Sequence, residues 1–472
     1  MKDILYDKNA KKCIIILMAI IVLYIIGSIY FKNHFFFRTY IDGINISCKT
    51  PDEAKGLIYE NVKDFRLKVC GRNDITDEIM SKDIQLEYVG EEKVEQLKNT
   101  QNCFFWLSAL MDKKESDNIK LFSYNDSMLK NKIINLKCVS AKDIVEPQNA
   151  EFQYTGGKYI IIEEIQGNKI DNDKLCDAIK RAVEYGKKTV DLDNEGCYEK
   201  PQYTKDSKEV IEAKNIMDKY VSSKIVYSFN KNMETVDGTL INKWIEVSHD
   251  MKPEISIVKV KEYVEELSKK YDTVGKEREF KSSVGKIVIV KGGYYGWKIN
   301  IKEEIKYLMN SIENGQSVMR EPIYSQKAFI KGEDDIGDTY VEVNITRQHL
   351  WYYKDGKLIV QGDVVTGCKN KNTPTYLGVY GLNYKQKGAI LKGADYSSKV
   401  DYWMPFNGNI GLHDADWRSS FGGNIYKTNG THGCINMPKY LAKTIFENIE
   451  ANTPIICYSE EIKSSNEEKS QD

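Results

Sequence analysis

The sequence predicts an α+β, multidomain protein: an N-terminal transmembrane helix, α+β modules in the middle and a β-rich domain at the C-terminus. Three observations predict this. Residues 13–31 carry no charge over a length that spans a bilayer. A strand–turn–helix pattern occurs twice, around Gly167 and around Gly296. From about residue 338 the pattern changes to short alternating strands. At 472 residues the chain is also too long for one ordinary domain.

The apolar run, Cys13 to Phe31, follows Lys11 and Lys12, with Lys2 and Lys8 further upstream. A cleaved signal has a shorter apolar core and a small-residue cleavage site, and no Ala-x-Ala site follows here. The run therefore reads as a retained anchor, with residues 1–12 cytoplasmic and everything after residue 32 outside. Lys32 and Arg38 weaken that charge asymmetry. The bland alternative is a buried core helix.

After the anchor, Asp42-Gly43 between short β-rich runs signals a hairpin. Thr50 is a candidate N-cap, with Pro51 at the first helical position. The helix leads to a strand at Arg66-Leu67-Lys68-Val69. Gly167-Asn168-Lys169-Ile170-Asp171 then precedes a helix from Lys174 to Tyr185, and Gly296-Trp297-Lys298-Ile299-Asn300 precedes another from Glu303 to Ile312. A β-rich run leads into each unit (Tyr159–Ile162, Ile287–Val290), and a glycine (Gly186, Gly315) closes it. Two such units indicate duplicated modules and are too few for a solenoid. Val258 to Tyr271 reads as a helix with apolar positions at 258, 260, 264 and 267.

In the last part, Tyr340–Ile345 and Leu350–Tyr353 alternate, and Asp355-Gly356 turns the chain into Leu358-Ile359-Val360 and Val364–Gly367. Trp351-Tyr352-Tyr353 reads as strand core and edge. A helix from Pro438 to about Ile449 and a strand Ile455–Tyr458 close the domain, and the polar tail 460–472 is expected to be disordered.

A formal net charge of −1 supplies no field for nucleic acid. The ten cysteines include no Cys-x-x-Cys, which argues against a zinc ribbon or a redox dithiol. Cys13 in the span and Cys434 are expected to be unpaired, and the pairing of the others is open. The densest chemistry lies at Thr431-His432-Gly433-Cys434-Ile435-Asn436, with His413 upstream in Gly411-Leu412-His413-Asp414. Only five histidines occur in the chain, and two fall beside this cysteine. A thiol flanked by imidazoles has the parts of a nucleophilic site.

On these residues, 338–458 resembles the catalytic domain of L,D-transpeptidases of the YkuD type, cysteine enzymes that cross-link peptidoglycan. The family signature is a histidine, a 14–17-residue gap, Ser/Thr-His-Gly-Cys, a hydrophobic residue, and Asn or Arg. Here His413 is followed by 17 residues (414–430) and then by Thr431-His432-Gly433-Cys434-Ile435-Asn436. Met404-Pro405-Phe406 and Thr366-Gly367 add support. Thr375-Tyr376-Leu377-Gly378 carries tyrosine where the family often has proline. Residues 210–325 resemble the peptidoglycan-binding domain often found upstream of such enzymes, through Tyr263–Thr273, Lys281–Val290 and Gly292–Ile299; residues 38–200 look like a diverged copy.

The resemblance implies that Cys434 is the nucleophile and His413 the general base and acid, oriented by the main chain of Asp414. It places Thr431, His432, Gly433 and Asn436 in oxyanion or loop-support roles, with the amides of Gly433 and Cys434 as oxyanion candidates. Trp403, Phe406, Trp417 and Arg418 are candidates for substrate contact, and Asn429 lies in the same gap. A thiolate–imidazolium pair is the expected active form. The implied reaction is acyl transfer: Cys434 attacks the third stem-peptide residue, the terminal D-alanine leaves, and a neighbouring stem amine resolves the thioester into a 3→3 cross-link. No cofactor is implied. The partners are donor and acceptor stems and, through the helix, the cell membrane. Water as acceptor gives an L,D-carboxypeptidase; a dead catalytic domain leaves a wall-binding scaffold. A sortase wants Thr-Leu-x-Thr-Cys, which is missing. A metal site from His413, Asp416, His432 and Cys434 lacks zinc-motif spacing. Gly292-Gly293-Tyr294-Tyr295-Gly296 reads equally as a glycan-binding loop or as a turn closing a hydrophobic cap.

Overall fold

The computed structural model describes residues 8–460 except 42, 112–113, 117–121, 141, 332–333, 369, 371 and 394–396. Asp42 of the first expected hairpin and residues 461–472 of the tail lie outside the described residues. The chain divides into two compact units, residues 1–152 with 161–210, and residues 153–160 with 211–472.

The first unit begins with one helix, Lys8–Asn33, long and apolar enough to cross a membrane. The next helix, Pro51–Lys63, starts where the sequence predicts: Thr50 accepts from the Glu53 N–H, and the Glu53 carboxylate accepts from the Thr50 N–H. It feeds the strand Arg66–Cys70, which pairs antiparallel with Thr76–Met80 and parallel with Thr189–Asp191. A helix, Asn172–Glu184, precedes that third strand.

The second unit repeats this order. The helix Lys208–Val221 feeds the strand Lys224–Phe229, which pairs antiparallel with Asn232–Val236 and parallel with Ser317–Arg320, a strand preceded by the helix Ile301–Glu313. The duplication is thus larger than the strand–turn–helix unit read from sequence. The recurring motif has a physical reason. Asp171 and Asn300, its last residues, cap their helices by accepting from the N–H groups of Lys174 and Glu303. Gly186 and Gly315 take positive φ at the opposite ends. In Ile257–Tyr271 the buried stripe is Val260, Val264 and Leu267, whereas Val258 faces solvent. Val258, the first of the four apolar positions, sits in the first turn, short of that stripe.

The C-terminal part holds two sheets. One has the strand order 357–363, 349–354, 340–344, 454–458, 378–381; the other has the order 386–392, 397–407, 410–414, 435–437. Asp355 and Gly356 both take positive φ, as the expected two-residue hairpin requires. Val364–Gly367 is less regular than expected and joins its neighbours through isolated bridges, Val365 to Asn436 and Gly367 to Thr431. The helix Lys439–Asn448 buries Leu441, Ala442 and Ile445 against Val343, Met404, Leu412 and Ile435. Trp351 and Tyr352 are core residues.

The segment before this domain is part of its packing. Phe280, Val290, Tyr295 and Trp297 share a core with Val379, Ile456 and Tyr458. The fully buried Glu342 carboxylate accepts from the Ser283 N–H and the Tyr458 hydroxyl. Gly292 and Gly293 run along the strand Gly378–Gly381, with the Val379 N–H donating to Gly292 O and the Tyr295 N–H to Val379 O. The loop therefore closes a hydrophobic cap through Tyr295, while Tyr294 stays exposed. A Cβ on Gly293, at φ +84°, would lie 2.0 Å from Val379 O. Gly293→Ala should destabilise this unit by about 1–3 kcal/mol, read as a lower midpoint in thermal unfolding. An unchanged midpoint would show that this close approach is not required.

Candidate active site

Strand register builds the site. Leu412 pairs with Ile435 and His413 with Asn436, in parallel. Side chains alternate along a strand, so Gly411, His413, Cys434 and Asn436 share one face of the sheet. Leu412, Ile435 and Met437 point the other way, into the core. Trp403 pairs with His413 across the antiparallel neighbour. Gly411 has no side chain, and its neighbour in register is Cys434. The room left at Gly411 is taken by the Trp403 indole, 2.7 Å from where a Cβ would lie, and Cys434 packs against that same indole on the face that carries the imidazole.

His413 is buried, and its Nδ1 lies 2.8 Å from Asp414 O. A carbonyl can only accept, so Nδ1 carries the proton and Nε2 is left as the basic nitrogen. The Asp414 carboxylate acts elsewhere. It accepts from the N–H groups of Asp401 and Tyr402 and ties the histidine strand to its neighbour. The imidazole sits beside two indoles, with ring centroids 5.9 Å from Trp403 and 5.9 Å from Trp417. Burial pushes its pKa below the ordinary value; the Asp414 carbonyl and carboxylate oppose that shift, and the Arg418 guanidinium adds to it.

Cys434 is half-buried against Ala389, Val400 and Trp403. Its thiol donates to Asn409 O at 3.5 Å. Burial raises its pKa to about 11, opposed by the Gly411 N–H. Both shifts favour a neutral thiol beside a neutral imidazole. Desolvation works against both charged forms of the thiolate–imidazolium pair expected from sequence.

The motif loop is held by hydroxyls. Thr431 Oγ1 accepts from the Gly433 N–H at 3.0 Å and donates to Cys434 O. Thr375 Oγ1 donates to Gly433 O at 2.7 Å and accepts from the Gly367 N–H at 2.9 Å. Gly433 takes φ +116°, a conformation that favours glycine. With its N–H held by Thr431, Gly433 takes the loop-support part of the two roles expected for it.

Residues 338–457 match the family of the L,D-transpeptidase catalytic domain. Residues 78–191 and 203–320 match a family named for peptidoglycan binding. A crystal structure of a cysteine-to-serine mutant of Enterococcus faecium L,D-transpeptidase is 35% identical, covering 53% of this chain and 100% of that one, with a TM-score of 0.44. The catalytic domain from the same organism is 43% identical over 26% of this chain and 97% of that one, with a TM-score of 0.24. No curated protein matches. The chain belongs to the L,D-transpeptidases.

In this transpeptidase domain the sequence-predicted residues fall into three groups. His413, Asp414, Trp403, Thr431, Gly433, Cys434 and Asn436 converge on the motif; Asn436 is buried and bridges Val365 through its main chain. Trp417 and Arg418 lie nearby, Trp417 half exposed and Arg418 with Nη1 on Asn429 O. His432 is exposed. Phe406, expected to contact substrate, is corrected to a core residue: it is buried with Tyr380, three positions from Trp403 and on the core face. Sequence reasoning missed Thr375 and Gly411. The signal for Gly411 was its place two residues before the histidine, on the same strand face. Among the described residues, the carboxylates near enough to share a metal are Asp401, Asp414 and Asp416, and Lys439 already pairs with two of them. A groove of about 710 Å³, lined by Tyr271, Lys276, Arg278, Trp297 and Tyr324, lies within residues 228–331, away from Cys434.

With the thiol held near 11, alkylation of Cys434 by iodoacetamide in the substrate-free protein should keep rising with pH. It should not level off near the ordinary thiol value of about 8.5. Peptide-resolved alkylation rates check this, and a plateau by about pH 9 would show a stabilised thiolate.

Proposed function

We propose that this L,D-transpeptidase forms 3→3 peptidoglycan cross-links through a thioester on Cys434, releasing the terminal D-alanine of a donor stem. The observation that carries the reading is the shared sheet face of His413 and Cys434, with Nδ1 committed to Asp414 O. His413 Nε2 takes the thiol proton as sulfur attacks the carbonyl of the third stem residue. Because both groups start neutral, proton transfer and attack go together. The imidazolium then protonates the leaving amine of D-alanine, and the thioester forms. A side-chain amine of a second stem attacks next, with His413 again the base, and the amide cross-link releases the thiol. The oxyanion falls to the Cys434 N–H, the amide that Thr431 does not occupy. Water in place of the second amine would give L,D-carboxypeptidase activity. A scaffold without chemistry would have no use for the oriented tautomer.

The substrate contacts follow from two residues. Trp417 offers an exposed indole beside His413. Arg418 has a buried Nε with no acceptor. A guanidinium left short of acceptors suits a stem-peptide carboxylate. The uncharged helix anchors the chain in the cell membrane, with the catalytic domain on the wall side.

Cys434→Ala should abolish D-alanine release from a disaccharide-tetrapeptide, read by mass spectrometry, and residual turnover above about a tenth of wild type would remove Cys434 from the role. His413→Ala should cost at least about 10²-fold. The same thiol should open a carbapenem, giving a single adduct on the Cys434 peptide and none on the other nine cysteines.

A base must be neutral, and the imidazole pKa lies below its ordinary 6.5. The acid limb of kcat/KM should therefore lie below that value. Arg418→Met removes a nearby cation, so it should raise KM for the donor and move the acid limb upward. A KM and limb both unchanged would leave Arg418 without a part in the site.

A further inference from the structure

In the first unit, Cys103–Leu110 forms a short 3₁₀ turn that packs on the anchor helix. Trp106 stacks on Phe31 at 5.5 Å and on Tyr24 at 6.3 Å between ring centroids. Gly27 admits the indole, since a Cβ there would lie 2.5 Å from the Trp106 ring. Among the described residues, nothing covers the opposite side of the turn. Phe104 is 61% exposed, Phe105 65%, Leu107 46%, Leu110 55% and Met111 87%. No charge occurs from Cys103 to Met111. A contiguous patch of this kind marks an interaction surface rather than scattered apolar residues.

The helix says what covers it. Phe31 is the last residue before Lys32, and Tyr24 lies seven residues deeper, about 10 Å along the axis. If residues 13–31 cross the hydrocarbon, Trp106 and its turn stand at the depth of the outer leaflet. The backbone of the turn suits that medium, where unsatisfied polar groups are costly. Phe104 N–H donates to Asn102 Oδ1, Phe105 N–H to Asn102 O and Met111 N–H to Ser108 O. Phe104 O accepts from the Tyr24 hydroxyl, and Phe105 O from the Ser108 hydroxyl. Around it, Lys98 donates to Phe31 O at the end of the helix, and Lys32 and Arg38 are exposed, where lipid headgroups would meet them.

We propose that residues 103–111 are a second membrane contact, inserted in the outer leaflet beside the anchor helix with Phe104, Phe105, Leu107, Leu110 and Met111 against lipid acyl chains. The inference rests on the membrane-anchor reading. It gives the first unit two contacts with the bilayer, so that the unit does not swivel freely on a single helix.

The test uses the full chain in nanodiscs whose phosphatidylcholine carries a photoreactive diazirine in the upper acyl chain, with lipid adducts mapped by peptide mass spectrometry. Adducts are expected on residues 13–31 and on 103–111, and none on Ile287 and Ile289, which are exposed apolar residues far along the chain. Phe104→Glu/Phe105→Glu changes only exposed side chains and should lower the 103–111 adducts at least several-fold while leaving those on 13–31. Gly27→Leu should do the same by displacing Trp106. Adducts on 13–31 with none on 103–111 would overturn the second contact and leave the anchor standing. Absence of adducts on 13–31 would overturn the anchor, and the second contact with it. Equal labelling of Ile287 and Ile289 would overturn it as non-specific capture.

Discussion

The parallel pairing of Ile410–Asp414 with Ile435–Met437 is the constraint on which the rest of the site depends. A one-residue slip would turn His413 or Cys434 into the core and expose Leu412 or Ile435. The core face resists that slip, because Leu412, Ile435 and Met437 are all buried against the Lys439–Asn448 helix and its sheet. Hydrophobic packing on one face thus fixes the geometry of the polar face. The chemistry also needs a glycine at 411, where a Cβ would collide with the Trp403 indole, and a carbonyl at 414 to set the tautomer.

Support for the loop comes from further away. Thr375 holds Gly433 O, and the chain continues from Thr375 directly into the strand Gly378–Gly381. That strand is covered on its edge by Gly292 and Gly293. The segment upstream of the catalytic domain therefore backs the same strand that steadies the motif loop. The connection is continuous and packed, and it explains why a glycine occurs at 293, where a side chain would collide with Val379.

Much of this was legible in the sequence because it is local. Thr50-Pro51 with Glu53 starts a helix, Asp355-Gly356 makes a hairpin, and the spacing from His413 to Cys434 brings two strand ends together. What was illegible depends on partners distant in sequence or on which face a residue takes. Phe406 lies three residues from Trp403, and alternation with a register shift between Pro405 and Asn407 puts the two on opposite faces. The Gly433 amide was read as free because its acceptor, the Thr431 hydroxyl, is set by loop conformation. The Gly292–Gly296 loop was ambiguous because its partner, Val379, lies more than eighty residues on. The uncharged run at 103–111 is visible in the sequence, but its exposure and its place beside the helix are not, and it acquires meaning only from them.

The electrostatics of the resting site join fold to function. A thiolate is the nucleophile and also the species most open to oxidation and stray alkylation. Burial pushes the Cys434 thiol pKa up to about 11, and the thiol donates its proton in a hydrogen bond to Asn409 O. Burial also pushes the His413 imidazole pKa down, towards the neutral form that accepts a proton. Neither group alone is activated. Activation requires a carbonyl at the sulfur, so that negative charge passes to an oxyanion while the imidazole takes the proton. Reactivity is then tied to the presence of a correctly seated acyl donor. For an enzyme proposed to work outside the membrane, a nucleophile that stays neutral until the donor arrives is better protected than a permanent thiolate, and the same burial that seats the thiol beside Gly411 produces that protection.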